Sequence, residues 1–186
     1  MADEVLVAEG LGARTRRGWV FRDVDLAVAA GDIHTIDGAA GSGRTSLLLA
    51  LAGHFRTTAG TVRRTARPAL GFVAGVNEPE PGLTVAEHVE ERLVLLGRAP
   101  FSLRKRRRQA LALLEGVPLD PRTLGRDLDR LQAQLLGLTL ARVGEPGILF
   151  ADDVDTGLSE VERQELYKAL RETGSAVVVT ARERLA

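Results

Sequence analysis

The sequence predicts a single α/β domain. Strand-like segments with alternating or β-branched apolar residues take turns with helix-like segments, and glycines separate them. A length of 186 residues suits one domain with a substantial core and is short for two. A glycine-rich turn stands directly between an apolar strand and a helix rich in leucine and alanine. That turn is the most specific feature of the sequence.

The composition excludes several classes of protein. The chain has 25 basic and 25 acidic residues, so an electrostatically dominated nucleic-acid binder is not expected. It has no cysteine, which excludes disulfides, thiolate metal ligands and cysteine nucleophiles. Its apolar runs are far shorter than the ~20 residues that cross a bilayer, and no secretory signal precedes them. We therefore expect a cytoplasmic protein without a nucleic-acid partner.

The first part of the chain predicts strands and one helix. Alternating or β-branched apolar residues predict strands over Val5–Ala8, Val20–Val28, Ile33–Ile36 and Gly71–Val76. Leucine and alanine predict a helix over Thr45–Ala52, and Gly53 is placed to end it. The proline-rich segment after the fourth strand cannot continue a central strand, because proline removes donors from the ladder.

The middle of the chain is predicted to be helical. From Thr84 to about Val143 apolar residues recur at helical spacing, interrupted by a basic run, and we interpret this part as a helical insertion. Alternation then resumes with a strand over Ile148–Ala151, a helix over Glu160–Arg171 and a β-branched strand over Ala176–Thr180.

The glycine-rich turn matches a phosphate-binding motif. Residues 38–46, GAAGSGRTS, fit the pattern GxxxxGK[ST] except that Arg44 replaces the lysine. A strand precedes the turn and a helix follows it, so backbone amides and the positive helix N-terminus are expected to converge on phosphate oxygens. The candidate phosphate-binding residues are Gly38, Gly41, Ser42, Gly43, Arg44, Thr45 and Ser46.

Two of these residues have particular chemistry. Thr45 stands where its hydroxyl would complete the coordination of Mg²⁺. Arg44 keeps the positive charge, but its planar guanidinium is larger than an ammonium group, so weakened phosphate binding is expected. The alternative interpretation is a glycine turn that holds no ligand.

Two further motifs extend the similarity to a known family. Leu83 opens the sequence LTVAE, and Ile148 opens the apolar run ILFADD. With the phosphate loop they resemble the ATPase subunits of ABC transporters, from about Val5 to Thr180. The resemblance implies an α/β P-loop NTPase of the ABC type, with an antiparallel N-terminal β region and a helical subdomain, C-terminally short. It divides the single domain 1–186 into a P-loop core over 1–75 and 144–186 and a helical subdomain over 76–143.

The same resemblance implies ATP and Mg²⁺ as ligands. Asp152 would orient the metal ion, and Asp153 stands where the family has a glutamate that acts as general base on the attacking water. Aspartate is one methylene shorter, and a misplacement of about 1 Å at a reacting centre can cost on the order of a hundredfold in rate. Asp153 is the only candidate for the catalytic base.

Several family residues are replaced in this chain. Gly75 occupies the place of the Q-loop glutamine, Ala181 that of the switch histidine and Ser159 that of the D-loop aspartate. In Leu128–Gln132, LDRLQ, only the first and last residues of the signature LSGGQ remain. The resemblance therefore implies that several elements of ATP hydrolysis are weakened together.

Some positions keep two interpretations. Asp129 would either repel a phosphate bound by the opposite subunit or cap a helix. Asn77 or Glu78 could substitute for the missing glutamine, although exposed loop residues fit better. Thr15 matches the family's adenine-stacking aromatic position, and the nearby Trp19 is interpreted as a core or edge-strand residue. The histidines are interpreted as surface or interface residues and not as metal ligands: His34, His54 and His88.

The basic run Arg104–Arg108 lies within the helical insertion. A solvated helix face is the first interpretation, and contact with an acidic coupling surface or anionic lipid headgroups is the second. Nucleic acid is last, because no aromatic residues interleave the charges. The resemblance implies a multi-span membrane protein as partner, a homodimer or heterodimer of nucleotide-binding domains, and a peripheral position at the inner face of the cell membrane.

The replaced residues also bear on function. Arg44, the LDRLQ segment and Asp153 together resemble degenerate actinobacterial ABC subunits that accompany YhgE/Pip-type membrane proteins. We predict an ATP-binding subunit of an ABC-type membrane complex with slow or absent hydrolysis. The alternatives are a non-hydrolysing regulatory or scaffold pseudo-ATPase and, less favoured, a soluble P-loop kinase of a small molecule.

Overall fold

The computed structural model describes residues 3–182. In chain order its regular elements are β1 (Glu4–Thr15), β2 (Gly18–Ala29), β3 (Ile33–Asp37), α1 (Arg44–Ala52), β4 (Ala59–Arg64), β5 (Pro68–Leu70), α2 (Val85–Leu95), α3 (Leu103–Leu113), α4 (Arg130–Arg142), β6 (Ile148–Ala151), α5 (Glu160–Arg171) and β7 (Ala176–Ala181). One turn of 3₁₀ helix, Gly125–Asp127, precedes α4. The ends of the predicted domain, residues 1–2 and 183–186, lie outside the described residues.

Strands β1 and β2 form a long hairpin at the start of the chain. Their register runs from Glu4 opposite Ala29 to Thr15 opposite Gly18, and β4 pairs antiparallel with the other side of β1. The first two predicted strands are confirmed and are longer than predicted. Strand β4 is not predicted by the apolar pattern, because Val62 is its one large apolar residue.

The second sheet has four parallel strands in the order β3-β7-β6-β5. β6 and β7 are buried along their whole length, as the central strands of a parallel sheet should be. The carboxyl ends of parallel strands meet at one edge of a sheet. The loop after β3, the residues after β6 and the end of β7 therefore lie together.

Side chains of β6 alternate between two cores. Ile148 and Phe150 pack with α1 and the antiparallel sheet, whereas Leu149 and Ala151 pack with helices α2 to α5. The parallel sheet is thus covered by α1 and the antiparallel sheet on one face and by the other helices on the second face. This arrangement confirms the predicted α/β class with an antiparallel N-terminal β region.

Helices α2, α3 and α4 lie between β5 and β6 and confirm the predicted helical insertion. Helix α1 ends at Gly53, whose φ of 92° is left-handed, as predicted. The subdomain limits 1–75, 76–143 and 144–186 stay a prediction. No helix within residues 3–182 has the length and apolar character needed to cross a bilayer.

The strand predicted over Gly71–Val76 is wrong in position. The strand is β5, Pro68–Leu70, and pairing with β6 fades after it. The amide of Gly71 still donates to Phe150 at 2.7 Å, and the amide of Asp152 donates to Phe72 at 3.1 Å. From Val73 onward the backbone turns, because the amide of Asn77 donates back to the carbonyl of Val73. Phe72 packs against α4 and Val73 packs with α1 and β6, whereas Val76 is 53% exposed, so none of them extends a strand.

Candidate nucleotide-binding site

The loop between β3 and α1 holds the predicted phosphate-binding residues. It contains Gly38 to Gly43, and Arg44, Thr45 and Ser46 follow in the first turn of α1. At Gly43, which has φ of 88°, a Cβ atom would lie 2.3 Å from the carbonyl oxygen of Val20, so glycine is required between loop and strand. No side chain within residues 3–182 caps the N-terminus of α1, and its first amides are therefore free to bind an anion.

Thr45 and Asp152 contact each other directly. The Thr45 hydroxyl lies 2.9 Å from Oδ2 and 3.1 Å from Oδ1 of Asp152. Asp152 is buried, and the hydroxyl of Thr180 donates to its Oδ1 at 2.6 Å. A hydroxyl beside a single carboxylate is the donor set that Mg²⁺ takes from proteins when phosphates and water fill its other positions. The described residues hold no cluster of three or more His, Cys, Asp or Glu, so they offer no cage made of protein ligands alone.

Arg44 turns back across the sheet edge. Its Nη1 donates to the backbone carbonyl of Ala181 at the end of β7, and its Nη2 lies 3.8 Å from Oδ1 of Asp153. Only 12% of its side chain is exposed. The guanidinium thus joins the phosphate loop to the ends of β6 and β7.

Asp153 is held from several sides. Its φ of 53° is left-handed, and its amide donates to the Thr180 hydroxyl at 2.7 Å. The Thr156 hydroxyl donates to its Oδ1 at 2.7 Å. From α4, Arg130 Nη2 lies 3.6 Å from Oδ2 and donates to the Asp153 carbonyl at 3.0 Å. The predicted base is therefore surrounded by two guanidinium groups and a hydroxyl.

Arg130 reaches Asp153 across the ring of Phe72. Its guanidinium carbon lies 4.7 Å from the ring centroid, a cation–π contact. The packed ring fixes the direction of the side chain, so the contact with Asp153 is a defined feature of the first turn of α4.

The segment in the signature position forms a helix cap. Asp129 is the N-cap of α4: its Oδ1 accepts from the amide of Gln132 at 2.8 Å, and Gln132 Oε1 accepts from the amide of Asp129 at 3.1 Å. This is a capping box, and it satisfies two amides that would otherwise lack partners. Of the two interpretations of Asp129, the structure shows the helix cap.

The other capping boxes hold helices α2 and α5. Thr84 caps α2 with Glu87, and Ser159 caps α5 with Glu162. Hydrogen bonds from the hydroxyl and amide of Thr84 lower the pKa of Glu87, and those of Ser159 lower the pKa of Glu162. Ser159, in the D-loop position, therefore has a structural contact of its own.

Residues near the missing glutamine make local contacts. Asn77 Oδ1 accepts from the amide of Val73 at 2.8 Å, and its amide group donates to the carbonyl of Gly71. Glu78 accepts from the amide of Gly75 at 2.8 Å. Both side chains close the turn after β5, which confirms that they are exposed loop residues.

Two buried polar residues were missed by the sequence reasoning. Thr180 bridges the site by donating to Asp152 and accepting from the amide of Asp153. Gln134 on α4 is 2% exposed and donates to the carbonyl of Asp152 at 2.9 Å. The sequence signal for each was a polar residue among apolar ones in a strand or helix. A buried polar residue of this kind needs a hydrogen-bond partner.

The remaining candidates lie outside this group. Trp19 is 45% exposed on β2, at the edge of the antiparallel sheet, so the edge-strand interpretation is confirmed and the core one is wrong. His88 is buried, because it faces inward on α2, where Nδ1 contacts the Thr84 carbonyl at 2.8 Å, so the surface interpretation is wrong for it. Burial and then the charge of Asp155 raise the pKa of Tyr167, so this phenol stays protonated and is no alternative base.

A groove separates the sheet from the helical insertion. Its volume is about 590 Å³, and its walls include Val76 and Glu78 after β5, and His88 and Leu95 on α2. His88 Nε2 is buried and has no hydrogen-bond partner among the described residues. The groove is thus a concave surface beside the helical insertion.

Comparison with known proteins follows the same motifs. The family model described as ABC transporter matches residues 21–156, a stretch that includes the phosphate loop and both aspartates. The chain belongs to the ABC transporter family. It is 32% identical to the zinc import ATP-binding protein ZnuC of Jannaschia sp. (strain CCS1), over 96% of this chain and 73% of that protein.

Solved structures of ABC cassettes share the fold. A dimeric post-hydrolysis state of the ATP-binding cassette MJ0796 bound to ADP and Pi superposes with a TM-score of 0.78 at 21% identity, covering 96% of this chain and 88% of that one. The cbiO1 protein from Clostridium perfringens, part of the ABC transporter complex cbiONQ, gives a TM-score of 0.78 at 17% identity and covers 98% and 79%. At these identities the likeness extends to the fold alone. The narrower resemblance to actinobacterial subunits stays a prediction.

Proposed function

We propose that this chain is the ATP-binding subunit of an ABC-type membrane complex, and that it binds ATP with Mg²⁺ but hydrolyses it very slowly or not at all. One observation carries the proposal. The Thr45 hydroxyl and the Asp152 carboxylate are in contact, whereas Asp153 is engaged by Arg44, Arg130 and Thr156. The contact between Thr45 and Asp152 supports metal binding, and the contacts of Asp153 support slow hydrolysis.

The binding half of the site rests on the phosphate loop. The proposed phosphate-binding residues are Gly38, Gly41, Ser42, Gly43, Arg44, Thr45 and Ser46. Free amides at the start of α1 and the helix dipole favour an anion there. Mg²⁺, when bound, would neutralise phosphate charge, and Thr45 and Asp152 are the residues that would hold it.

The catalytic half lacks several groups. Ala181 presents only a methyl group and a carbonyl that already accepts from Arg44, and Gly75 has no side chain. A single lost donor to a developing charge typically costs about 3 kcal/mol in the transition state. Such losses are not additive within one site, so we propose a large combined reduction in rate without a sum.

Two alternatives differ in testable ways. A regulatory or scaffold pseudo-ATPase is favoured by the same engagement of Asp153, and it predicts no phosphate release even in the assembled complex. A soluble small-molecule kinase is disfavoured by the ABC transporter match over residues 21–156.

The partner is proposed to be a multi-span membrane protein that docks on the helical subdomain, residues 76–143. The groove between the sheet and α2 offers it a concave surface of about 590 Å³. A homodimer or heterodimer of nucleotide-binding domains and a position at the inner face of the membrane complete the proposal.

Phosphate release is the deciding measurement. It is made on the protein alone and with its co-expressed membrane partner, with Asp153→Asn as the control for contaminating ATPase, while calorimetry measures MgATP binding. We expect measurable binding and negligible turnover by the protein alone. Turnover of about one per second or more that Asp153→Asn abolishes would contradict the degenerate site, and absence of ATP binding would contradict the pocket.

A further inference from the structure

Helix α3 carries five basic residues and no acidic one. They are Arg104 to Arg108, within the 11-residue sequence LRKRRRQALAL. The whole chain has equal numbers of basic and acidic residues, so this helix is a local concentration of positive charge. A charged helix face of this kind is stable when water solvates it, so a binding role has to rest on further features of the surface.

Two of the five basic residues have an internal partner. Arg106 lies 3.4 Å and Arg107 3.0 Å from the Glu90 carboxylate on α2. Together with the buried Ala110 and Leu114, these contacts hold α3 against α2. The positive charges of Arg106 and Arg107 are therefore paired within the chain.

The other three basic residues have no partner within the described range. Arg104, Lys105 and Arg108 are exposed, and no acidic residue among 3–182 lies within 4.0 Å of their charged groups. They protrude from the side of α3 that faces away from α2. Their charges are available to a ligand outside the chain.

Basic residues of this helix surround an apolar one. Arg104, Arg107, Arg108 and Leu111 follow the spacing i, i+3, i+4, i+7 of one helix face, and with Lys105 they line a shallow hollow of about 620 Å³. Leu111 is 39% exposed within this hollow. A partly exposed apolar residue among cationic side chains suits a ligand that carries anionic groups next to apolar ones.

Two large apolar residues stand at the N-terminal end of the same helix. Phe101 is fully exposed, at 109%, and Leu103 is 68% exposed. Neither contributes to a core cluster of residues 3–182. A fully exposed aromatic ring directly before a basic helix is typical of segments that insert into the boundary between headgroups and acyl chains.

We propose that Phe101, Leu103 and the exposed basic face of α3 bind an anionic phospholipid surface. Arg104, Lys105 and Arg108 bind headgroup phosphates, while Phe101 and Leu103 insert beneath them. A duplex nucleic acid or a polyacidic segment would satisfy the charges but would leave the two apolar residues in water. None of these residues belongs to the proposed nucleotide site, so the proposal does not rest on ATP binding or hydrolysis.

Vesicle flotation of the full chain tests this proposal. The vesicles are phosphatidylcholine alone or phosphatidylcholine with one third phosphatidylglycerol, without nucleotide. We expect stronger binding to the anionic vesicles. Arg104→Glu with Arg108→Glu should weaken it by about 25-fold or more, since each basic residue near an anionic surface contributes about fivefold.

Matched variants distinguish binding by this surface from a general effect of net charge. Arg16→Glu with Arg17→Glu makes the same change in net charge at the exposed β1–β2 turn and should leave vesicle binding unchanged. Phe101→Ser keeps all charges and should weaken binding several-fold, including at high salt, where headgroup attraction is screened. Circular dichroism and thermal melting confirm that each variant is folded.

Four results would overturn the proposal. They are equal or absent binding to the two vesicle types, an equal loss in the Arg16 and Arg17 variant, full binding by folded Phe101→Ser, and capture by duplex DNA or poly-glutamate without capture by vesicles. The last result would assign the face to a nucleic acid or an acidic protein.

Discussion

The guanidinium of Arg44 lies 3.8 Å from the carboxylate of Asp153. These residues stand where the family resemblance places a lysine and a glutamate, so two replaced residues of the site contact each other. Arg44 also donates to the Ala181 carbonyl, at the third replaced position. The replacements are thus connected physically, and the site can be tested one contact at a time.

Arg44→Ala should weaken MgATP binding. A hydrogen bond to a charged group contributes about 1.5–3 kcal/mol, which corresponds to about a 10- to 100-fold change in the dissociation constant. Isothermal calorimetry measures it, with the exposed Arg63→Ala on β4 as the control for a lost positive charge. Equal affinity in the wild type and Arg44→Ala would remove Arg44 from the pocket.

Asp152→Asn should abolish the dependence of ATP affinity on Mg²⁺. The amide keeps one acceptor for the Thr45 and Thr180 hydroxyls, whose contacts with Asp152 are 2.9 Å and 2.6 Å, but it loses the charge that orients the metal ion. Titrations with ATP in Mg²⁺ and in EDTA give the measurement. If the wild type itself binds ATP equally well in both buffers, the metal assignment is wrong.

Asp129→Ser should separate the two interpretations of that residue. Serine is also a good N-cap, so α4 should keep its stability, whereas Asp129→Ala should lose about 1 kcal/mol of unfolding free energy. Urea unfolding measures both variants. If the alanine variant is as stable as the wild type, the capping box seen between Asp129 and Gln132 contributes nothing measurable.

Removing the Asp129 carboxylate should also favour association of nucleotide-bound subunits, because the charge no longer opposes a phosphate. Analytical ultracentrifugation with MgATP compares wild type with Asp129→Ser. A dimer fraction unchanged by the substitution would show that the carboxylate does not face the nucleotide of a second subunit.

Val76→Asp should disrupt docking of the membrane partner. Val76 is 53% exposed and lines the groove between the sheet and α2, so a carboxylate there would have to be desolvated on docking. Val161→Asp on α5 is the matched control, since Val161 is 75% exposed and lies outside the groove. Co-purification from a strain that expresses both proteins measures docking, and equal recovery of the two variants would exclude this groove.

Gly137→Ala should destabilise the fold by about 1–3 kcal/mol. A Cβ atom at this position in α4 would lie 2.5 Å from the amide nitrogen of Phe72. Gly82→Ala is the control, because a Cβ atom there would meet open space. If the two variants have the same denaturant midpoint, α4 can move away from Phe72 without loss of unfolding free energy.

The sequence predicted the elements that bury regular apolar patterns. β6, β7 and α5 have the predicted positions within one residue, because a continuous apolar strand or an amphipathic helix determines its own burial. β4 was not predicted, because Gly60 and two arginines interrupt the apolar pattern of a strand. Pairing with β1 stabilises this strand instead. β5 was misplaced because Phe72 and Val73, which follow it, are apolar for contacts with α4, α1 and β6.

The residues of the candidate site were also predicted only in part. Thr45 was proposed from the phosphate-loop motif, and Asp152 and Asp153 were proposed from the family resemblance. The parallel topology brings these positions together. The sequence could not predict that Arg44 contacts Ala181 and Asp153, or that Thr180 links the two aspartates. Such contacts depend on side-chain direction in three separate places: helix α1, the residues after β6 and the end of β7.

Because Arg44 contacts both Ala181 and Asp153, the effects of substitutions at these three positions should not be additive. Residues that share one network show coupled substitution effects, so a change at Arg44, Asp153 or Ala181 alters the environment of the other two. A lone Arg44→Lys removes the forked group that bridges the carbonyl and the carboxylate, and a lone Ala181→His introduces a ring into a fully buried position beside that guanidinium. A path from the present residues to those of the family pattern therefore passes through single variants that lose present contacts before they gain new ones. Selection acting on one substitution at a time would tend to keep the chain in its present form.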